Sequence, residues 1–298
     1  MFRGALRGRA VRYVIEHETS LTFPSPVQEH QCELRLTPRQ DATQRVHAVQ
    51  IDIDPPADLF TYVDSFGNRV HHFSLIPPHD RLITRLHAEV ETLLENPFDY
   101  TALTPSQEHA WFMDMLRTQP SLWSFVQHRS PVTPDLTHLQ HGLELPRYDP
   151  QQPLLLSVRA GMDWIAGTLT YQVGVTDVHS PLETVLAARA GVCQDFAHLL
   201  IALVRSWGFP ARYVMGYLDP GYIQSPDIKS TTHAWAEVLI PGAGWRGFDA
   251  TLQLVTNETY VAVAVGRDDQ DAAPQRGSFK GDEGSEPPRV HLQIMRQQ

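Results

Sequence analysis

The chain of 298 residues contains only two cysteines, Cys32 and Cys193, and they lie far apart in the sequence. A disulfide framework is therefore not expected, and reduced thiols in the cytoplasm are the simplest interpretation. The fifteen histidines form no His-Glu-x-x-His segment, no Cys-x-x-Cys pair occurs, and no acidic loop resembles an EF-hand. The sequence therefore predicts neither a metal site nor a cofactor.

Basic residues are also scarce, with 24 Lys and Arg against 34 Asp and Glu, for a formal net charge of −10. Such a charge argues against nonspecific binding to nucleic acid or to an anionic membrane surface. No apolar run approaches the roughly 18 residues that a membrane-spanning helix needs. The first twenty residues lack the continuous apolar segment of a signal peptide. We therefore expect a cytoplasmic protein with no nucleic-acid or membrane partner.

The hydrophobic pattern divides the chain into four segments, and the length is typical of about two domains. Residues 1–95 alternate like β-strands and predict an antiparallel, sandwich-like β-domain. Residues 96–150 carry short helical patterns and predict a connector that packs on both neighbours. Residues 151–265 combine helices with strands and predict the catalytic core. Residues 266–298 predict a surface loop, up to about residue 288, followed by a closing strand. The expected fold class is α+β.

The core segment carries the clearest start and stop signals. Ser180 and Glu183 form a capping-box pattern, which predicts a helix that ends at Gly191. A second helix follows, and then three strands, "ARYVMGYL", "THAWAEVLI" and "WRGFDAT", the last two joined by a hairpin turn at 241–244. Across this hairpin we expect Glu237 to pair with Arg246.

Cys193 lies in the first turn of the second helix, in the stretch "GVCQDFAH". Unpaired N–H groups and the positive end of the helix dipole favour a thiolate at this position. The cysteine also shares the apolar face of the helix with Leu200, Val204 and Trp207, so it is expected at the floor of a cleft. A buried cysteine that acts only as a small hydrophobe is the alternative. A nucleophile also requires a base and a group that orients the base.

His233 and Asp249 are the candidates for these two roles. They lie on consecutive strands, each a few residues from the hairpin turn, so they are expected to be cross-strand or diagonal neighbours. An aspartate beside a histidine fixes its tautomer and stabilises the imidazolium. His198 is a rival base, but it lies about 140° around the helix from Cys193 and is expected to point elsewhere.

These segments resemble the bacterial transglutaminase-like superfamily, whose core is papain-like. The resemblance is carried by "GVCQDFAHLLIALVRSWGFPARYVMGYL", "THAWAEVLIPGAGWRGFDAT" and "VAVGRDDQDAAPQRG". It extends to "YVIEHETSLTFPSPVQEHQCELRLTPR" and "DSFGNRVHHFSL", which are similar to the N-terminal region of this group. The resemblance implies that Cys193 is the nucleophile, His233 the base and Asp249 the orienting residue.

Two positions depart from the family pattern. The chain has Asp249-Ala250-Thr251 where the family usually has Asp-Pro-Thr, which keeps the acid and restores a backbone N–H. Asp269 stands where the family usually has an aromatic residue after Gly-Arg-Asp. In this kind of fold that tail lies near the cleft, so the second change bears on substrate preference.

The resemblance implies acyl transfer from a carboxamide or peptide carbonyl through a thioester. Hydrolysis, as in a protease or amidase, is slightly favoured over transglutaminase cross-linking, and the expected partner is a peptide or protein substrate. A scaffold that only binds peptides is a second hypothesis. A zinc site built from Cys193, His233 and Asp249 is a third, although structural zinc sites usually use more sulfur.

The oxyanion of such a reaction requires hydrogen-bond donors. The backbone N–H of Cys193 is one candidate donor. Candidates for the second are the side chains of Gln194, Trp164 and Tyr171. Trp235, two residues after His233, is expected to be a core residue or a wall of the cleft.

Overall fold

The structure, a computed structural model, describes residues 10–139, 142–178, 180–222, 232–281 and 287–297. The first nine residues, on which part of the signal-peptide expectation depends, lie outside these ranges. Within them, no helix has both the length and the apolar character that crossing a bilayer would require.

The elements follow one another in an order that separates a β-rich N-terminal part from a mixed core. In chain order, the described elements are β1 Val11–Leu34, β2 Gln44–Asp54, β3 Phe60–Val63, β4 Arg69–Leu75, β5 His79–Thr92, α1 Pro105–Thr118, α2 Trp123–Gln127, α3 Leu154–Thr168, β6 Thr170–Tyr171, α4 Leu182–Ala188, β7 Ala190–Gly191, α5 Cys193–Ser206, β8 Ala211–Leu218, β9 His233–Ile240, β10 Gly244–Asp249, β11 Leu254–Val255, β12 Tyr260–Gly266, α6 Asp269–Ala272, β13 Gln275–Lys280 and β14 Arg289–Gln297.

The N-terminal part is one curled antiparallel sheet in which the long strand β1 belongs to two layers. The first half of β1 pairs with β5 and β14, and the second half pairs with β4 and β13. The register breaks between Thr22 and Val27, where Pro24 and Pro26 lie. Proline has no N–H for a strand ladder, so the two prolines bend β1 and let the sheet fold onto itself. The predicted α+β class and the antiparallel, sandwich-like N-terminal part are confirmed.

The C-terminal tail returns to this N-terminal sheet. Both β13 and β14 pair with β1, and β14 is the closing strand that was expected. The surface loop predicted over residues 266–288 is wrong for the described part of that range, because α6 and β13 lie there and Ala272 is fully buried. The many glycine, proline and acidic residues of this segment predicted a loop. The two short elements form because they pack on parts of the chain that are distant in sequence. The three boundaries between the four predicted segments remain a prediction.

The core is built around helix α5, which packs on a five-stranded antiparallel sheet in the order β11-β10-β9-β8-β12. Leu199, Leu200, Leu203 and Val204 are fully buried on α5. Burial of four such side chains stabilises the core by roughly 1.5–3 kcal/mol each. The helix therefore holds its first residue, Cys193, at a fixed place beside the sheet.

The capping box predicted at Ser180 is wrong. The Ser180 hydroxyl donates to Asp177 instead, and α4 begins after Pro181 without a side-chain cap. The helix also ends at Ala188, three residues before the predicted stop, because Arg189 adopts a left-handed conformation.

The salt bridge predicted across the hairpin is also wrong. Arg212 on β8 lies directly opposite Glu237, and their side chains approach to 2.6 Å. The partner of Glu237 on β10 is Gly247, so Arg246 is one residue out of register and donates to the carbonyl of Pro97.

Two amide side chains of the N-terminal part attach it to the free edge of the core sheet. Gln44 donates to the carbonyl of Ala262 at 2.7 Å and accepts from its N–H at 2.9 Å. Asn68 makes the same pair of bonds with Val265, at 2.7 and 2.8 Å. Each amide thus takes the place of a neighbouring strand on β12, which satisfies edge groups that would otherwise be unpaired.

Strand β1 makes a second attachment through its own side chains. Tyr13 donates to the carboxylate of Asp219 at 3.0 Å, and His17 Nδ1 lies 2.8 Å from the hydroxyl of Tyr217. All four side chains are buried. The N-terminal part is therefore fixed against β8 by specific polar contacts as well as by apolar packing.

Candidate active site

Cys193 begins helix α5, and only Val192 separates it from the short strand β7. Strand β7 pairs in parallel with β6, so that Tyr171 lies beside Gly191. The Asp195 carboxylate accepts the N–H of Val192 at 2.8 Å and covers Gly191. A Cβ at position 191 would lie 2.5 Å from that carboxylate, so the turn requires glycine. These contacts fix the backbone that presents the thiol.

The two thiols of the chain differ in their surroundings. Cys193 is partly exposed, whereas Cys32 is buried in the N-terminal sheet. Burial raises the pKa of Cys32 to about 12. Cys32 therefore remains a protonated, structural cysteine, as a buried apolar environment dictates.

His233 and Asp249 form a buried pair next to this thiol. The Nε2 atom of His233 lies 2.7 Å from Oδ2 of Asp249, and both side chains are at most 4 % exposed. The two residues are diagonal neighbours, since the register pairs Phe248 with Ala236. The thiol of Cys193 is within hydrogen-bonding reach of the same imidazole. Because Nε2 contacts Asp249, Nδ1 is the ring nitrogen that remains for the contact with the thiol.

The charge state of His233 follows from these neighbours. Burial of the ring disfavours the imidazolium, but the Asp249 carboxylate and the Cys193 thiol outweigh burial and raise the pKa of His233 above its ordinary value. The raised pKa favours a protonated imidazole between the Asp249 carboxylate and the Cys193 thiol.

Asp249 is held as an acceptor by three further donors besides His233. Its Oδ1 atom accepts the backbone N–H groups of Thr251 and Leu252, and its Oδ2 atom accepts the hydroxyl of Tyr260 at 2.9 Å. These four hydrogen bonds fix the direction of a fully buried carboxylate. Asp249 can therefore hold the imidazole of His233 in one orientation.

The candidate oxyanion donors have separate positions. The amide of Gln194 donates to the carbonyl of Val178 at 3.3 Å, which ties it to the loop before α4. Tyr171 lies on β6, one strand away from the residues that precede the thiol. Trp164 lies on α3, half-buried against the core. Of these side chains, those of Gln194 and Tyr171 are on elements that adjoin Cys193.

Trp235 is a buried residue behind the imidazole. Its ring makes an edge contact with Tyr260 at 5.3 Å, and its centroid lies 6.2 Å from that of His233. It lines a small cavity with Glu237 and Trp245, on the side of the sheet where the Gln44 attachment lies. The structure thus places Trp235 in the core.

His198, the rival base, is buried and belongs to a different cluster. Its ring stacks on Tyr213 at 5.0 Å, and its Nε2 atom lies 3.3 Å from Oδ1 of Asp269. The carboxylate makes no hydrogen bond to this nitrogen, although the distance is short enough for an ion pair. The backbone N–H of Asp269 donates to Nε2 of His198 instead. Asp269, which stands where the family usually has an aromatic residue, therefore lies against α5.

Three residues of the site were not found by sequence reasoning. Tyr260 contacts Asp249 from β12, which is two strands removed from β9 in the sheet. Asp195 accepts a hydrogen bond from the turn before the thiol. Tyr213 lies close enough to Cys193 for the charge of Cys193 to contribute to the raised pKa of its phenol. Only Asp195 had a signal in the sequence: it is an acidic residue at the third position of an apolar helix, where a side chain often accepts a hydrogen bond from the residue before the helix. In the part of the chain that the structure describes, no group of three or more His, Cys, Asp or Glu is arranged to hold a metal ion.

A helix that starts with a cysteine, packed on an antiparallel sheet that carries a His–Asp pair, defines the transglutaminase-like class of papain-like folds. Residues 13–91 match the bacterial transglutaminase-like N-terminal region, and residues 147–250 match the transglutaminase-like superfamily. The chain therefore belongs to the transglutaminase-like superfamily.

Several relatives match the sequence or the structure of this chain over most of their length. The uncharacterized protein ML0607 of Mycobacterium leprae is 31% identical over 276 residues, which cover 91% of this chain and 94% of the relative. The uncharacterized protein Rv2569c of Mycobacterium tuberculosis is 34% identical over 280 residues, covering 89% and 87%. A crystal structure of a candidate cysteine protease from Cytophaga hutchinsonii matches with a TM-score of 0.74 and 25% identity, covering 97% of this chain and 92% of that one.

Proposed function

We propose that the protein is a cysteine-dependent hydrolase that cleaves peptide or carboxamide bonds. The observation that carries the proposal is the buried His233–Asp249 pair at 2.7 Å with the Cys193 thiol within reach of the same imidazole. These are a nucleophile, a base and an orienting acid, supplied by three different elements. The similarity to a candidate cysteine protease from Cytophaga hutchinsonii supports the same reaction class.

In the first half of the reaction, Sγ of Cys193 attacks the carbonyl carbon and a C–S bond forms. The carbonyl electrons move to oxygen, which becomes an oxyanion. The C–N bond then breaks as Nδ1 of His233 gives its proton to the leaving nitrogen. The products of this half are a free amine or ammonia and an acyl-thioester on Cys193.

In the second half, His233 removes a proton from water, and the hydroxide oxygen attacks the thioester carbonyl. The C–S bond breaks, a carboxylic acid leaves, and the thiolate–imidazolium pair is restored. Asp249 keeps the ring oriented through both halves because its four hydrogen bonds fix its own position. The first N–H groups of α5, which have no partner within the helix, are the donors for the oxyanion.

Water and an amine are alternative acceptors for the thioester, and the experiment must separate them. The protein is incubated with a mixture of tryptic peptides, with and without a fluorescent alkylamine, and the products are identified by mass spectrometry. We expect new peptide termini, or glutamine side chains converted to glutamate, in the wild type only. The Cys193→Ala variant supplies the background.

Other outcomes would change the proposed activity. Incorporation of the alkylamine in preference to hydrolysis would make the protein a transglutaminase. Peptides that co-purify equally with wild type and Cys193→Ala, with no product from either, would favour a non-catalytic binding scaffold.

A further inference from the structure

A cavity of about 700 Å³ lies between the N-terminal sheet and the core. Strand β1 contributes one wall through Leu21 and Phe23. The segment from α6 to β13 contributes a second, including Ala273 and Phe279. The core supplies the remaining wall, and so the cavity exists only because the tail and β1 are both docked there.

The core wall adjoins the reacting residues. Gln194 follows Cys193 in the chain, and Thr232 precedes His233, and both line the cavity. Tyr213 lines it as well, and burial, followed by the charge on Cys193, raises the pKa of its phenol well above the ordinary value. The cavity is therefore lined by the chain neighbours of both reacting residues and by Tyr213, whose pKa responds to Cys193.

The lining is largely apolar. Aliphatic and aromatic side chains come from all three walls; they include Leu21, Phe23, Met215, Ala273, Phe279 and Val290. The loop between β6 and α4 adds Val178, which is 56% exposed. Val178 lies on the lining itself and accepts the Gln194 amide through its carbonyl.

The polar groups on the lining carry little charge. His17 and His30 are neutral at pH 7, because burial lowers the pKa of each to about 4, with His79 adding to the effect on His30. Two lining residues are charged. Asp269 faces His198 at 3.3 Å, and Arg276, on the exposed side of β13, reaches the carbonyl of Gln270.

We propose that this cavity is a specificity pocket that binds a large apolar side chain of the peptide substrate next to the bond attacked by Cys193. The proposal rests on the acyl-transfer function given above and narrows its substrate class. A volume of this size lies within the range of small-ligand sites and holds an aromatic or leucine-sized side chain with its neighbouring backbone. The N-terminal part would then determine substrate choice, because β1 forms one wall.

The test measures alkylation of Cys193 by three reagents that differ in one side chain: the chloroacetyl amides of phenylalanine, glycine and aspartate. The thiolate displaces chloride from each, so a thioether forms and chloride leaves, and peptide mass spectrometry gives the rate. We expect the phenylalanine reagent to react at least tenfold faster than the glycine reagent, and the aspartate reagent to react more slowly than either.

Two substitutions fill the pocket from opposite walls, Ala273→Trp from the tail and Leu21→Trp from β1. Each is expected to abolish the preference for phenylalanine, so that the phenylalanine and glycine reagents alkylate Cys193 at similar rates. Ala110→Trp is the matched control, since Ala110 is exposed on α1, which packs near the far end of α5. Either pocket variant suffices if the other does not fold.

Equal rates for the three reagents in the wild type would overturn the proposal. So would a preference for phenylalanine that survives both pocket variants. A failure of the proposed reaction gives a different signature, namely a plain chloroacetamide rate at Cys193 that does not change when His233 is replaced by alanine.

Discussion

At the scale of single residues, the site depends on a buried carboxylate that four donor groups of the protein hold in place. Asp249 is fully buried and accepts from His233, Tyr260 and two backbone N–H groups. The direction of the carboxylate is therefore fixed. This arrangement makes the imidazole a positioned base rather than a free one.

Replacing Asp249 by asparagine is expected to leave the protein folded and to lower kcat/KM by about 10²- to 10⁴-fold, as loss of the correct tautomer does in a comparable triad. The amide cannot stabilise the imidazolium. The rate is measured on a peptide identified in the hydrolysis experiment, and circular dichroism checks the fold. Near-wild-type turnover would remove Asp249 from the mechanism.

Tyr260→Phe tests the hydroxyl that shares Oδ2 of Asp249. The substitution removes one hydrogen bond to a buried charge, so the free energy of unfolding should fall by about 1.5–3 kcal/mol. Tyr62→Phe is the control, because Tyr62 makes a similar bond of 2.7 Å to Glu33 at an exposed site. There the loss should be below about 1 kcal/mol, since water replaces the lost partner. Urea unfolding measures both, and equal losses would contradict the account.

Sequence spacing was sufficient to predict that His233 and Asp249 are near one another, because a short hairpin fixes the register of its two strands. The same reasoning could not find Tyr260. Its strand pairs with β8, which lies on the other side of β9 from Asp249 and far from Tyr260 in the sequence. Contacts that cross a sheet in this way depend on strand order, which alternation of hydrophobic residues does not encode.

At the scale of elements, the N-terminal turn of α5 is the part that presents the nucleophile. Asp195 accepts the N–H of Val192 at 2.8 Å and the hydroxyl of Thr176 at 2.7 Å. It thereby joins the start of the helix to the valine-bearing loop that borders the cavity. The thiol and one rim of the proposed pocket are held by the same side chain.

Asp195→Ala should lower the free energy of unfolding by about 1–3 kcal/mol, because it leaves the Val192 N–H without an acceptor. It should also slow alkylation of Cys193. Asp195→Asn keeps an acceptor oxygen and is expected to lose less than half as much. Urea unfolding and iodoacetamide labelling of the same three proteins make the comparison, and equal losses for both substitutions would argue against this capping role.

Start and stop signals were a poorer guide than hydrophobic periodicity at this scale. The apolar face that Cys193 shares with Leu200, Val204 and Trp207 predicted α5 correctly, because this helix buries a wide apolar face. The capping box at Ser180 failed because Asp177, three residues earlier, competes for the same hydroxyl. A short polar side chain has several possible hydrogen-bond partners nearby, and the sequence does not show which of them it will choose.

At the scale of the whole molecule, the N-terminal part and the tail both line the cavity at the core. Strands β13 and β14 both pair with β1, and β1 forms one wall of the cavity. No sequence pattern places the tail next to the first strand, because the pairing joins residues more than 200 positions apart. The cavity was accordingly the feature least accessible to sequence reasoning.

The contact between β1 and the core should depend on pH through His17. Burial lowers the pKa of His17 to about 4, and the ring faces the hydroxyls of Tyr217 and Thr19. The unfolded chain takes up a proton near pH 6.5, whereas the folded chain does so only near pH 4. The stability that neutral His17 provides is therefore present above about pH 6.5 and is lost as the pH falls.

Between about pH 7.5 and pH 5, the wild type should lose about 2 kcal/mol more stability than His17→Gln, whose amide keeps the hydrogen bonds but does not titrate. Urea unfolding at the two pH values measures the difference. Parallel losses in both proteins would show that His17 is not the titrating group.

The most direct test of the central claim is the rate at which iodoacetamide alkylates Cys193 as a function of pH, in the wild type and in His233→Ala. Cys32 does not interfere, since it is 1% exposed and its pKa is raised to about 12 by burial. If the raised pKa of His233 reflects an imidazolium paired with a thiolate, the wild-type rate is high and nearly constant from pH 6 to pH 8. The His233→Ala rate should instead rise about tenfold per pH unit, as for an ordinary thiol. A wild-type rate that rises as steeply as that of the variant would contradict the account.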